Sequence, residues 1–272
     1  MPTIQLLNEP LKTRGIRIVQ YGDSGVGKSV RASDAARWGL LELHDFDEQF
    51  SNLKRYLEAN DPARLSQIRA VSYIGNTNAE KIDHLVGRVQ QLVANRIAGK
   101  TPEIATLVLD SYSTMEQLYA EYICSKYTPS STGFGSPRTE FEMGKEDIVI
   151  PGTMDYGTLA VVMKKFFDAL KNTGLNIILN CHAKDPLEQK NRIIRQGTVK
   201  AAGQIRDMMP TEFNEWHYLF VDSNSQHRVQ AKPTAQWLAK TALPKVPSNG
   251  ILLDNNLKAF DEIAFKLGEP GK

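Results

Sequence analysis

The sequence has very little cysteine and no long apolar run. Only Cys124 and Cys181 occur among 272 residues, and both stand in apolar surroundings. This argues against a disulfide or zinc framework and predicts two reduced thiols in the core. No apolar stretch approaches the length of a membrane span, and the opening MPTIQLLNEP has neither the basic start nor the apolar stretch of a secretion signal. We therefore expect a cytoplasmic protein without membrane contact.

The sequence also lacks a strong excess of charge. Its 33 basic and 31 acidic residues give a net charge of +2, so a nucleic-acid site would need a local concentration of basic side chains. Hydrophobic residues at 41% and charged residues at 24% are ordinary for a soluble globular protein, and there is no internal repeat. We expect a single domain over residues 1–272, with its core at about 15–262.

Strand and helix patterns alternate along the chain, which is typical of a parallel sheet with crossover helices. The predicted strands are residues 16–21, 40–45, 68–74, 104–110 and 175–181. The first predicted helix runs from Thr77 to about residue 98, with a Thr77–Glu80 capping box and an apolar face from Ile82 to Ile97. Two more helices are expected to start at Ser113 and Asp155. Later, NEWHYLFVD and QHRVQAKP predict an antiparallel hairpin that extends the sheet.

The strongest chemical motif is QYGDSGVGKSV, residues 20–30. Its glycines allow a tight turn that points backbone N–H groups at phosphates, and the helix that follows adds the positive end of its dipole. We predict that Lys28 contacts the β- and γ-phosphates of ATP and that the Ser29 hydroxyl binds Mg²⁺. The predicted nucleotide-binding residues are Gly22, Asp23, Ser24, Gly25, Val26, Gly27, Lys28, Ser29 and Val30.

Two acidic positions predict the rest of a hydrolytic site. Asp110 ends the apolar strand TLVLD, where a carboxylate emerges at the carboxyl edge of the sheet and can hold Mg²⁺ through water. HDFDEQ follows another strand, and Asp47 or Glu48 is the candidate carboxylate that positions the attacking water. The choice between these two stays open. A helix cap at Asp110 and a solvated acidic loop after the strand are the structural alternatives.

The order of GDSGVGKS, DFDE, TLVLDS and NIILNCHAKD resembles the RecA-like ATPases. More narrowly, it is similar to phage-encoded ATP-binding proteins of single-strand annealing and recombination. The resemblance implies an α/β RecA-like P-loop NTPase fold: a mostly parallel sheet, helices on both faces, and a C-terminal antiparallel hairpin. It further implies a Mg²⁺-dependent ATPase that acts as a homo-oligomer on single-stranded DNA in a host cytoplasm, with a single-strand binding protein or another recombination partner.

The resemblance also implies roles for individual residues. His182 follows a strand where these ATPases sense the γ-phosphate, although it could equally be a satisfied polar strand terminus. Residues 183–206 correspond to a DNA-binding loop, with six basic side chains against two acidic ones: Lys184, Lys190, Arg192, Arg195, Lys200 and Arg206. Arg228, Lys232 and Lys240 resemble groups that act on the site of a neighbouring subunit, while Ala242 stands where an arginine would be expected.

Residues 127–155 are predicted as a long loop in the place of a second DNA-facing segment. Phe134 and Phe141 could stack on bases, but two basic against five acidic residues oppose a phosphate track. The alternative function is a nucleotide-gated assembly or packaging ATPase that acts on a protein. Two other functions fit less well. One is a GTPase, in which HAKD would serve as the guanine-recognition signature. The other is a small-molecule kinase, in which Arg192 and Arg195 would belong to a lid.

Overall fold

The computed structural model describes residues 15–126, 139–143, 146–189, 192–241 and 251–252. The strands are β1 Arg17–Gly22, β2 Leu41–Asp45, β3 Ile68–Ser72, β4 Thr106–Asp110, β5 Thr139–Met143, β6 Glu146–Ile150, β7 Asn176–Lys184, β8 Leu187–Gln189, β9 Arg192–Arg195, β10 Thr198–Val199, β11 Glu215–Val221, β12 His227–Gln230 and β13 Ile251–Leu252. The α-helices are α1 Lys28–Ser33, α2 Phe50–Asn60, α3 Pro62–Leu65, α4 Asn78–Ile97, α5 Tyr112–Lys126, α6 Thr153–Thr173 and α7 Gly203–Glu212.

The main sheet has the strand order β13-β12-β11-β1-β7-β4-β2-β3. The strands from β11 to β3 are mutually parallel, whereas β12 and β13 pair antiparallel beyond β11. This confirms the predicted α/β fold and the closing β11–β12 hairpin. Because β7 lies between β1 and β4, the P-loop strand and the strand that ends in Asp110 are second neighbours, and their carboxyl ends lie at the same edge.

Two hydrophobic cores cover the two faces of the sheet. Alternate strand residues point to opposite faces, so Val19 belongs to one core and Ile18 to the other. The larger core packs α4, α5, α6 and α7 against the sheet, and the smaller core packs α1 and α2 against the other face. The helices therefore cover both sides, and the edge formed by the carboxyl ends of the parallel strands is left for the site.

Helix α4 confirms the predicted capping box. The Thr77 hydroxyl accepts a hydrogen bond from the Glu80 N–H, and the Glu80 carboxylate accepts one from the Thr77 N–H at 2.8 Å. The apolar face is buried at Ile82 and at the following turns up to Leu92. The prediction that Ile97 belongs to this apolar face was wrong. Its side chain is 83% exposed, because Ile97 is the last helical residue before the turn at 98–99.

The predicted long loop over 127–155 was wrong in its second half. Strands β5 and β6 form an antiparallel pair there. TEFEM places glutamate at alternate positions, as strands do, and EDIVI ends in three β-branched apolar residues, which favour a strand. Helix α6 begins at Thr153, and the buried carboxylate of Asp155 accepts a hydrogen bond from the Gly152 N–H at 2.9 Å, so this acid is a helix cap. Phe134 lies outside the described residues.

Both cysteines are buried as predicted, and neither forms a disulfide bond within the described residues. Within the part of the chain that the structure describes, no helix has the length and apolar character needed to cross a membrane.

Candidate active site

The P-loop connects β1 to α1 at the carboxyl edge of the sheet. Two of its glycines are required for different reasons. Gly27 has φ of 89°, a left-handed conformation that side-chain-bearing residues rarely adopt, and its carbonyl accepts the Arg31 N–H at 2.9 Å to start the helix. A Cβ atom on Gly22 would lie 2.3 Å from the Leu219 carbonyl oxygen on the neighbouring strand β11. The loop is therefore shaped by its own turn and by the packing of β11 against it.

The Lys28 side chain is folded into the loop. Its Nζ donates hydrogen bonds to the carbonyl oxygens of Gly22 at 2.9 Å and Asp23 at 2.7 Å. Burial lowers the pKa of Lys28, and the carboxylate of Asp110 is the largest influence that acts in the opposite direction. The hydrogen bonds of the ammonium go to neutral carbonyl groups, which the charged oxygens of a phosphate could replace as stronger partners.

Ser29 and Asp110 lie next to each other across β7. Burial raises the pKa of Asp110, while hydrogen bonds from the side chains of Ser29 and Asn180 act to lower it. A hydroxyl and a carboxylate are the hard oxygen ligands that Mg²⁺ prefers. The described residues contain no group of three or more His, Cys, Asp or Glu side chains able to hold a metal, so phosphate and water oxygens would supply the other ligands.

Asp47 follows β2 and turns toward the end of β4. Its Oδ1 accepts hydrogen bonds from the hydroxyls of Ser111, at 3.0 Å, and Thr114, and its Oδ2 lies 3.4 Å from Nε2 of His182. Burial works to raise the pKa of Asp47, but the hydrogen bonds from His182, Thr114 and Ser111 prevail and lower it. The carboxylate is therefore ionised at neutral pH. A cis peptide bond joins Asp110 to Ser111.

The two acidic neighbours of Asp47 face elsewhere. Glu48 has φ of 58° and forms an ion pair with Lys81, 3.4 Å from Nζ to Oε1. Asp45 accepts the backbone N–H groups of Gln49 at 3.0 Å and Phe50 at 2.7 Å, at the start of α2. Asp45, the last residue of β2, is the register partner of Asp110, but its carboxylate caps α2. Among these three acids, it is Asp47 whose carboxylate accepts hydrogen bonds from Ser111 and Thr114 after β4.

His182 near the end of β7 connects this cluster to the basic segment. The ring nitrogen Nε2 of His182 lies 3.4 Å from the Ser111 hydroxyl, and the backbone N–H of His182 donates to the Ser113 hydroxyl at 3.1 Å. The Ser113 hydroxyl donates in turn to the carbonyl of Lys200 at 2.9 Å, while the Lys200 N–H donates to the His182 carbonyl at 2.8 Å. The backbone of His182 and the end of the basic segment are therefore hydrogen-bonded through one serine.

A buried network of polar side chains lies under the P-loop and was not predicted from the sequence. Gln20 Nε2 donates to the carbonyl of Lys28 at 2.7 Å and to the side-chain oxygen of Asn180 at 2.5 Å. Arg31 Nη1 donates to Gln20 Oε1 at 2.8 Å. The network thus links α1 to both β1 and β7 directly below the nucleotide-binding loop.

The network continues into β11. Arg31 Nη2 donates to Nδ1 of His217 at 2.9 Å, and His217 Nε2 donates to Glu215 at 3.0 Å. Burial, followed by the positive charge of Arg31, lowers the pKa of His217 to about 4, so its ring is neutral and can accept from Arg31. The available signal was the presence of polar residues inside otherwise apolar strands, such as Gln20 in IRIVQY.

A second missed contact is made by the β11–β12 hairpin. His227 Nδ1 lies 3.2 Å from the carbonyl oxygen of Val26 in the P-loop. The neighbouring Arg228, a predicted trans-acting residue, donates through Nε to Asp222 at 2.5 Å. The hairpin therefore lies against the loop of its own subunit.

The other predicted residues lie away from the P-loop cluster. Lys184, Arg195 and Lys200 are exposed, whereas Arg206 pairs with Asp207 at 3.0 Å. Lys190 and Ala242 lie outside the described residues, and Arg192 is placed only through its backbone in β9. Lys240 Nζ donates to the carbonyls of Pro210 at 3.0 Å and Phe213 at 3.4 Å, and Lys232 is half-buried after β12.

A cavity of about 710 Å³ lies between α5, the start of α6 and the end of β7. Its walls include the two lysines Lys184 and Lys200 and the carboxylates of Glu116, Glu121 and Asp185. Charges of both signs therefore line this cavity beside the hydrolytic cluster.

The sequence model of a family described as AAA domain matches residues 14–243. Among solved structures, the chain is similar to a prototypical ATPase from the type III secretion system of pathogenic bacteria, at 16% identity and a TM-score of 0.45, over 76% of this chain and 52% of that one. It is also similar to EscN, solved with its central stalk EscO from the type III secretion system of enteropathogenic E. coli, at 15% identity and a TM-score of 0.45, over 76% and 42%. The chain thus spans about half of these ATPases or less. No curated protein matches it.

Proposed function

Because the chain belongs to the AAA domain family of P-loop ATPases, we propose that it hydrolyses ATP with Mg²⁺ at the carboxyl edge of its sheet. The observation that carries this proposal is the convergence of separate sequence motifs on that edge. The charges of Asp110 and Asp47 both act to raise the pKa of Lys28 in the P-loop, against the effect of burial. The site therefore combines a phosphate-binding loop, a metal-binding pair and an ionised carboxylate.

Lys28 and the P-loop N–H groups would hold the phosphates. The ammonium is pre-positioned by two neutral carbonyls, so a phosphate can take over its hydrogen bonds without a large movement of the side chain. Ser29 and Asp110 would hold Mg²⁺, Ser29 directly and Asp110 through water. When bound, the metal neutralises charge on the phosphate oxygens.

Asp47 would orient the water that attacks the γ-phosphorus. Its carboxylate is ionised and faces the end of β4, where it can accept a hydrogen bond from water. It would draw a proton from this water as the new P–O bond forms and the bond from the γ-phosphorus to the bridging oxygen of the departing ADP breaks. Ser111 and Thr114 fix the carboxylate through hydrogen bonds. His182 lies on its other side and can donate to a γ-phosphate oxygen or to the water. Glu48 has no such position, since it pairs with Lys81.

The test is phosphate release by the purified protein. We expect release from ATP that depends on Mg²⁺, loss of release in Lys28→Ala, and wild-type release in the matched control Lys54→Ala, a solvent-exposed lysine on α2. Melting temperatures of both variants verify the fold. Undiminished release in Lys28→Ala, or no release from the wild type, would contradict the proposal.

We further propose that the basic segment 183–206 binds single-stranded DNA during recombination or strand annealing. The exposed side chains of Lys184, Arg195 and Lys200 support this, since basic groups without base-specific partners suit a phosphate backbone. The backbone of Lys200 accepts a hydrogen bond from the Ser113 hydroxyl and donates one to the His182 carbonyl, which gives the segment a route to the hydrolytic cluster.

The alternative partner is a polypeptide, in an assembly or packaging ATPase. Glu116, Glu121 and Asp185 in the neighbouring cavity favour it, because carboxylates repel a phosphate backbone and attract basic side chains. The rate of ATP hydrolysis with and without single-stranded DNA distinguishes the two. Stimulation that rises with DNA concentration supports the DNA proposal, and an unchanged rate with no measurable DNA binding contradicts it.

We also propose that the chain acts as a homo-oligomer whose subunits complete each other's sites. Arg228 and Lys240 already have partners within their own chain, so each would exchange these partners for a neighbouring nucleotide. Lys232 follows β12, the second strand of the hairpin. In mixed assemblies, Lys232→Ala or Lys240→Ala subunits should depress turnover below the wild-type mole fraction. Turnover strictly proportional to that fraction would show self-contained sites.

A further inference from the structure

The hairpin between β11 and β12 places one imidazole on the P-loop. His227 Nδ1 lies 3.2 Å from the carbonyl oxygen of Val26, and a Cβ atom built on Gly27 would lie 3.5 Å from the same nitrogen. A carbonyl oxygen can only accept, so Nδ1 must carry the proton and donate it. The contact joins residues that are distant in sequence and are brought together because β11 is the neighbour of β1.

The turn that presents His227 is held by its own hydrogen bonds. One oxygen of Asp222 accepts the backbone N–H groups of Asn224 at 2.8 Å and Gln226 at 3.0 Å. The other oxygen accepts Nε of Arg228 at 2.5 Å. Because residues on both sides of His227 are tied to the same carboxylate, the imidazole has a defined place against the loop.

The Val26 carbonyl belongs to the same peptide unit as the Gly27 N–H. In a planar trans peptide these two groups point in opposite directions. A hydrogen bond that holds the carbonyl toward the hairpin therefore turns the Gly27 N–H away from it. Gly27 has no Cβ atom to restrict its φ, so the hydrogen bond to the Val26 carbonyl adds a restraint that a side chain at this position would otherwise supply.

We propose that His227 is a positioning residue for nucleotide binding, which orients the Gly27 N–H toward the phosphates by holding the Val26 carbonyl. This inference rests on the proposed binding of ATP by the P-loop. Since the oriented N–H would contact the phosphates before and during hydrolysis alike, its loss should weaken ATP binding and raise KM while kcat changes little.

Three substitutions separate the hydrogen bond from simple packing. In His227→Asn the amide nitrogen is attached at Cγ, as Nδ1 is in histidine, so it can reach the same carbonyl. In His227→Gln the amide lies one bond further out, and His227→Phe keeps a ring over Gly27 without any donor. We expect Phe and Gln to weaken affinity for a slowly hydrolysed ATP analogue about fivefold, and Asn to stay within about twofold of the wild type.

Affinity is measured by isothermal titration with Mg²⁺ present, and the melting temperature without nucleotide verifies the fold of each variant. Wild-type affinity in His227→Phe, or equal weakening in Asn and Phe, would overturn the inference. If the wild type itself fails to bind the analogue, the proposed function fails and this inference falls with it. That outcome is recognised from the wild type alone, so the two failures are distinguishable.

Discussion

Asp47 Oδ2 and His182 Nε2 lie 3.4 Å apart across the end of β4. Asp47 follows β2 and His182 lies near the end of β7, and these two strands flank β4 in the sheet. Both side chains also contact the hydroxyl of Ser111, which follows Asp110 directly. A carboxylate and an imidazole thus meet above the strand that carries the predicted Mg²⁺ residue.

The role of Asp110 in metal binding predicts a change in Mg²⁺ dependence. In Asp110→Asn the carboxylate beside Ser29 becomes a neutral amide, so the Mg²⁺ concentration for half-maximal phosphate release should rise about tenfold or more. Nucleotide binding should be partly retained, because Lys28 and the P-loop N–H groups remain. Titration of Mg²⁺ against phosphate release measures this. An unchanged metal dependence would leave Asp110 a structural role only.

The buried carboxylate of Glu42 predicts a pH dependence of stability. Burial opposes its charge, but hydrogen bonds from His44 and from Arg88, at 2.8 Å, prevail and lower its pKa to about 2. A glutamate whose pKa is lower in the folded state than in the unfolded state stabilises the fold at pH values above the unfolded-state pKa. This contribution is lost as the pH falls toward the folded-state pKa. Glu42→Gln should therefore destabilise the protein by about 3 kcal/mol at pH 7.

Urea unfolding of Glu42→Gln and wild type at several pH values measures this contribution. The difference between them should be full at pH 7 and shrink as pH falls from about 5 toward 2. Glu58→Gln, which removes an exposed ion pair with Lys54, is the control and should change stability by less than about 1 kcal/mol. A difference that is constant with pH would show that the charge of Glu42 is not involved.

The basic segment predicts a specific salt dependence of DNA binding. Lys184→Glu with Arg195→Glu should weaken binding of an oligothymidine strand and flatten the dependence of log K on log salt, because fewer counterions are released. Lys54→Glu with Arg55→Glu makes the same change of charge on α2, against the other face of the sheet, and should leave the slope unchanged. Equal effects of the two pairs would indicate only a general charge effect.

The parts of the site that could be predicted are those specified by short motifs in context. QYGDSGVGKSV and TLVLDS each combine a strand with the residues that follow it, so Lys28 and Asp110 could be placed at one edge without knowledge of the strand order. The alternation of strands and helices predicted the sheet for the same reason. The β5–β6 pair was not predicted, because each strand has only five residues and the acidic residues of TEFEM and EDIVI are equally typical of a solvated loop.

The remaining contacts depend on geometry that no local pattern contains. Asp47 and Glu48 are adjacent and chemically alike, and only the left-handed backbone at Glu48 directs it to Lys81. His227 contacts Val26 because β11 lies next to β1, and the order of strands could not be predicted from separate segments. Such long-range neighbours are set by tertiary packing.

We propose that Asp47, and not Glu48, positions the attacking water. The most direct test is the rate of phosphate release per bound ATP in Asp47→Asn and Glu48→Gln, with ATP affinity measured in parallel. We predict that Asp47→Asn lowers the rate about 100-fold or more with affinity within about threefold, and that Glu48→Gln hydrolyses ATP like the wild type. A wild-type rate in Asp47→Asn, or an equal loss in Glu48→Gln, would contradict the account.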